Sequence, residues 1–172
     1  MFQVGECIVC DHNGVCKVLG IAEMPELKKD VLYYQLEPVY SKGSRIFVPV
    51  DSDKLVLRRI SSAEEVEALL DEIPSIETIW ISNEKKREEE YREVARRYEC
   101  REWVKIIKTI YLRKKSRRLE GKKITYIDEK YMKLAEDNLY GEISIPLHLT
   151  PDKVEKFIRE RINKAAVLVR EE

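Results

Sequence analysis

The apolar residues change their spacing near residue 60, and that change decides what this chain can fold into. Before it, apolar and β-branched residues come in short runs separated by turn residues. From Ser61 onward they recur every three or four positions. Strands repeat at two residues and helices at 3.6, so the two stretches cannot share one element type. The chain reads as α+β, with a small N-terminal β-sheet or barrel over residues 1–60 followed by an all-α domain over residues 61–172. Its 172 residues suffice for two small domains.

The strand half divides at its turns. Phe2 to Cys10 suits a half-buried pleated surface. Asp11-His12-Asn13-Gly14 predicts a turn, because Asn and Gly tolerate positive φ. Val15 to Met24, Val31 to Val39, Arg45 to Val50 and Leu55 to Arg59 predict four more strands. Pro49 cannot donate to a ladder, which places it at a sheet edge or strand end. Short strands joined by tight turns imply a strongly bent sheet.

In the second half, Ser61-Ser62-Ala63-Glu64-Glu65 predicts a capped helix start, and Pro74 stops that helix. Ser82 or Asn83 opens a second helix through Tyr91, Val94, Ala95 and Tyr98. A third carries the stripe Trp103, Ile106, Ile107, Ile110, Tyr111 and stops at Gly121. Thr125 with Asp128 opens a fourth, and Thr150-Pro151 a fifth.

Net charge is zero, which at first argues against a nucleic-acid partner. The distribution says otherwise. Residues 61–79 carry six acidic and no basic side chains, while residues 80–123 carry 16 basic and 8 acidic. A basic block inside a neutral chain is the more informative signal. Within it, Arg113-Lys114-Lys115-Ser116-Arg117-Arg118 puts five cations in six positions. The plain structural reading is a solvated helix end; the functional one is contact with phosphate. Trp80 opens the block, just ahead of Lys85 and Lys86. Two readings stay open for it: a plug between helices, or an exposed aromatic wedge against unstacked bases. Trp103 belongs to an apolar stripe and reads as core.

Other chemistries find little support. Cys7, Cys10, His12 and Cys16 include a Cys-x-x-Cys half-site for zinc. In a strand, however, residues three apart point to opposite faces, and packing is the better reading of these thiols. No metal, cofactor or small-molecule substrate is expected. The two histidines and six scattered glycines give no catalytic set and no phosphate loop. Neither a signal peptide nor a membrane-spanning apolar run is visible, so the expected location is cytoplasmic, with reduced cysteines.

Taken in order, several short motifs resemble the CarD/CdnL family of bacterial transcription regulators. They are the opening Phe2-Gln3-Val4-Gly5-Glu6-Cys7-Ile8-Val9, the turn His12-Asn13-Gly14-Val15, the pair Tyr33-Tyr34, and Ile46-Phe47-Val48-Pro49-Val50. Trp80 ahead of a basic helix and Asp128-Glu129-Lys130-Tyr131-Met132-Lys133-Leu134 continue the likeness to about residue 145. Cys10-Asp11 stands where the family often has Tyr-Pro, and Glu84, Glu88, Glu89 and Glu90 make the stretch after Trp80 acidic. The resemblance implies a Tudor-like domain that binds the RNA polymerase β subunit, and a helical domain that stabilises the open promoter complex. It implies polymerase contacts at Tyr34, Arg45, Phe47 and Pro49. It also implies DNA contacts at Trp80, Lys85, Lys86 and Lys130, to which the basic run adds Arg113, Lys114 and Arg117. No enzymatic activity is expected. The alternative is a helical protein-protein interaction module that does not touch DNA.

Overall fold

The structure is a computed structural model that describes residues 1–171, with side chains through residue 162. The chain divides into two compact units, Met1–Ile60 and Ser61–Glu172.

The first unit is one five-stranded antiparallel sheet. Its strands are β1 (Cys7–Cys10), β2 (Gly14–Glu23), β3 (Leu32–Pro38), β4 (Ile46–Pro49) and β5 (Leu57–Arg59), in spatial order β4-β3-β2-β1-β5. The β1–β2 hairpin turns where expected, with His12 at φ 62° and Gly14 at φ 70°. A register shift between Val18 and Gly20 bends β2, as an extra residue in one strand must. Ile8, Cys10, Cys16, Val18, Tyr34, Leu36 and Val48 cover one face as a closed core. Pro49 does lie on an edge strand.

β1 is shorter than the apolar pattern predicts. Gly5 takes φ 91°, and residues 3–6 turn back on themselves through Glu6 N–H to Gln3 O. This returns Phe2 to the core. Its backbone N–H donates to the Tyr34 hydroxyl at 3.0 Å, and the two rings lie 5.6 Å apart.

The second unit holds five helices among the described residues: α1 (Ala63–Glu72), α2 (Arg87–Ala95), α3 (Cys100–Leu119), α4 (Tyr126–Ile143) and α5 (Pro151–Glu171). Ser62 caps α1 with a full capping box. Its hydroxyl accepts from Glu65 N–H at 3.1 Å, and Glu65 accepts from Ser62 N–H at 2.8 Å. Thr125 caps α4 through its hydroxyl alone, which accepts from Asp128 N–H at 3.2 Å, and Gly121 at φ 73° follows the end of α3. Pro74 turns the end of α1 into a short 3-10 helix, Ile73–Ser75. A second 3-10 turn, Glu84–Lys86, capped by Asn83, leads into α2. That helix stops at Ala95, short of the expected Tyr98, because Tyr98 adopts φ 50°. The Tyr98 ring then meets Trp103 edge-on at 5.5 Å, and Trp103 is core as expected. Arg161 of α5 pairs with Glu67 and Asp71 of α1. No helix of the described residues is long and apolar enough to cross a membrane.

Leu36 is fully buried on the closed face of the sheet. Leu36→Ala is expected to destabilise the first unit by about 2–5 kcal/mol, read by urea denaturation of the full chain.

Candidate functional site

The site is built around a carboxylate with no access to water. Asp128 sits in the first turn of α4 and is fully buried. Its Oδ1 accepts from the Tyr91 hydroxyl at 2.8 Å, and its Oδ2 accepts from Arg113 Nε at 2.8 Å. Arg113 Nη1 donates onward to Glu84 Oε1 at 3.2 Å. Arg87 grips the same Glu84 with two bonds, 2.8 and 2.6 Å, and donates to the Tyr91 hydroxyl at 2.8 Å. The ring Glu84–Arg87–Tyr91–Asp128–Arg113 thus closes on itself. Two carboxylates face two guanidinium groups, which leaves the set neutral. α2, α3, α4 and the 84–86 turn are joined through it.

Electrostatics follow the geometry. Burial disfavours the charged form of Asp128, but the hydrogen bonds of Arg113, Tyr91 and Thr125 outweigh it and hold the carboxyl below its ordinary range. The Arg87 guanidinium holds Glu84 down to about 2, with Arg113 assisting. Burial pushes Tyr91 up to about 12.

This ring fixes one end of the segment that carries Trp80. The other end is fixed by α3. Lys108 Nζ donates to the carbonyl oxygens of Ile73, Pro74 and Ile76 at 2.8, 3.3 and 2.6 Å. Thr109 Oγ1 accepts from Ile79 N–H at 2.9 Å. Trp80 follows directly, and its side chain is 82 % exposed. Asn83 then accepts from Lys85 N–H at 3.0 Å. Trp80 is therefore an outward aromatic on a segment held at both ends, and not a plug between helices.

The expected cations separate into two groups. Arg113 is committed to Asp128 and Glu84, and its side chain is mostly buried. Arg117 donates to Lys123 O at 2.8 Å. Lys130 pairs with Glu88 at 3.1 Å and lies over the Tyr131 ring. The side chains of Lys85, Lys86 and Lys114 are exposed and form no salt bridge or hydrogen bond among the described residues. The same holds for the side chains of Lys115, Arg118 and Lys123. Part of the acidity after Trp80 is already answered: Glu84 is held by two arginines, and Glu88 meets Lys130 and Arg92.

On the first unit, the expected polymerase contacts fall on both faces of the sheet. Arg45, Phe47 and Pro49 share one parity along the chain leading into and through β4, with Phe47 36 % exposed and Arg45 paired to Glu37 at 3.2 Å. Tyr34 pairs with Val48 on the other face and is only 2 % exposed. Its ring is core, and its hydroxyl holds the chain start. Tyr33 is the β3 tyrosine opposite Pro49. The alternation of side chains was the signal that could have separated the two tyrosines.

The four cysteines are free thiols. Cys10 and Cys16 are core residues on the closed face. The hydrogen bond to Cys10 and burial keep Cys16 protonated. His12 lies at the turn, 2.9 Å from Asp11. No group of three or more metal-ligating side chains comes together among the described residues.

Removing Asp128 leaves Arg113 and the Tyr91 hydroxyl without their central acceptor. Asp128→Ala is expected to cost about 3–5 kcal/mol by chemical denaturation, as for a broken buried pair. The parent carries its own acid sensitivity. Asp128 and Glu84 both titrate lower when folded, so their contribution is complete above about pH 4, the unfolded range, and is lost as pH falls through the folded values. Thermal melts between about pH 5 and pH 2 should show that loss, and Asp128→Ala should flatten it.

Comparison with known proteins bears on the first unit. No curated protein matches the chain. Residues 2–61 match the family model described as CarD-like/TRCF RID domain. That domain is an RNA polymerase-interacting module, and the match runs from the returning Phe2 through all five strands to Ser61. The first unit therefore matches the CarD-like/TRCF RID domain model over its whole length, which is consistent with a CarD-like family member.

Proposed function

We propose that this chain is a non-enzymatic transcription regulator. Its first unit binds the RNA polymerase β subunit, and its helical unit steadies the open promoter complex by setting Trp80 against the DNA. The observation that carries the DNA half is the 82 % exposure of Trp80 on a segment held at both ends, a few residues ahead of Lys85 and Lys86, whose side chains form no ion pair among the described residues. A large aromatic ring left in water has a cost that contact with unstacked bases removes. Free ammonium groups nearby can neutralise phosphates, whereas cations already paired have less to offer. Lys114 adds a further exposed charge that forms no salt bridge among the described residues. Arg113, Arg117 and Lys130 act in this reading mainly as framework, holding the surface that Trp80 and the lysines present.

The polymerase half rests on the match over residues 2–61 and on β4 as an edge strand. Arg45, Phe47 and Pro49 make its contact surface, with Tyr34 shaping the sheet from within. Polymerase supplies most of the hold on a promoter, since a few free lysines give only weak and salt-sensitive DNA affinity alone.

Trp80→Ala is expected to shorten the lifetime of polymerase–promoter open complexes while leaving both polymerase binding and the melting temperature unchanged. An unchanged lifetime overturns the wedge reading. Lys85→Gln/Lys86→Gln should lower the salt dependence of complex formation, by roughly 0.9 in logarithmic slope per lost phosphate contact. Phe47→Ala should abolish co-elution with polymerase in gel filtration without unfolding the sheet.

A further inference from the structure

The second half of α3 presents a face that the Trp80 segment does not use. Tyr111, Leu112 and Leu119 are 59, 51 and 85 % exposed. Tyr111 and Arg118 are seven residues apart, as are Leu112 and Leu119, so each pair lines up along the helix over two turns. Lys115 falls between the two lines. The side chains of Lys115 and Arg118 form no salt bridge or hydrogen bond among the described residues. α3 carries no acidic residue after Glu102. Arg113 stands two positions from both Tyr111 and Lys115, which on a helix puts it on an opposing side. The ring through Asp128 and the face at residues 111–119 are therefore separate surfaces of one helix.

Two properties select the occupant. Duplex DNA matches the cations but offers the leucines a charged backbone, and their exposed apolar area would gain little. A second copy of this chain would set Lys115 and Arg118 against their own equivalents, with no carboxylate on the face to answer them. A helix with apolar residues seven apart and carboxylates beside them satisfies both the leucines and the cations. We propose that the face formed by Tyr111, Leu112, Lys115, Arg118 and Leu119 docks an acidic amphipathic helix of a partner protein. Leu112 and Leu119 form the apolar seam, Tyr111 flanks it, and Lys115 and Arg118 hold the carboxylates. Two turns of helix span only ~11 Å, so the contact is a weak and reversible one. This inference stands apart from the polymerase and DNA readings and survives if either fails.

The test is a titration of the isotope-labelled full chain, followed by NMR. The probe is a synthetic alanine-rich helical peptide with leucines seven residues apart flanked by glutamates. A matched peptide with lysines in place of the glutamates and a short DNA duplex serve as controls. The glutamate peptide should shift the signals of residues 111–119 saturably, and the lysine peptide should bind at least roughly tenfold more weakly. Leu112→Ala/Leu119→Ala should abolish the shifts. Lys115→Glu/Arg118→Glu should reverse the preference between the two peptides. All four positions are exposed, and unchanged circular dichroism melts confirm that the variants fold. Three results would each overturn the proposal: no saturable shift with the glutamate peptide, no reversal in the charge-swapped variant, or stronger shifts of residues 111–119 by the duplex.

Discussion

The helical unit depends on a single carboxylate that water cannot reach. An ionised Asp128 would be very costly to bury alone, and the surrounding elements are arranged to make it tolerable. Tyr91 arrives from α2, Arg113 from α3 and the Thr125 cap from the start of α4. Glu84 then balances the second guanidinium, which draws the turn before α2 onto the same centre. A network of this kind is weak evidence for net stability, because apolar residues of equal volume often serve as well. What it does impose is direction. Bidentate and charge-assisted bonds fix angles as well as distances, and three helices and a turn share one set of them.

That arrangement changes how the charge of the chain is to be counted. The excess of cations over residues 80–123 is a property of composition, and much of it is spent inside the fold. Arg87 is buried, Arg113 nearly so, and Lys108 closes the carbonyl ends after α1. The cations left over are lysines and one arginine at Lys85, Lys86, Lys114, Lys115, Arg118 and Lys123. The residues with the strongest bonding geometry were kept for architecture, and the point charges on flexible stems were left for solvent or partners. Guanidinium suits the first task and ammonium the second.

Features decided within a few residues were legible in the sequence. Ser62 with Glu65, Thr125 with Asp128, Pro151 and Gly121 each act through the backbone next to them, and each stands at a helix boundary. The succession of five strands in the first half was visible for the same reason, as apolar runs between turns, whereas their order in the sheet was not. Features decided by distant partners were not legible. The outward position of Trp80 depends on Lys108 and Thr109, about thirty residues further along the chain. Arg113 reads as one of five adjacent cations until Asp128 and Glu84 are brought beside it. Tyr33 and Tyr34 look interchangeable until the alternation along β3 is followed, and the pairing of Tyr34 with Val48 puts Tyr34 on the closed face. Gly5 shortened β1 because a single glycine in an apolar run gives no sign of the φ it will adopt.

The three carbonyl oxygens gathered by Lys108 have a thermodynamic consequence for whatever Trp80 meets. Ordering a loose loop on a target costs about 1–2 kcal/mol of backbone entropy per residue. The segment from Ile73 to Ile79 has already met that cost within the fold, through one ammonium group and one threonine hydroxyl. A ring presented on such a mount is preorganised, so for any target it met more of its contact energy would remain as affinity.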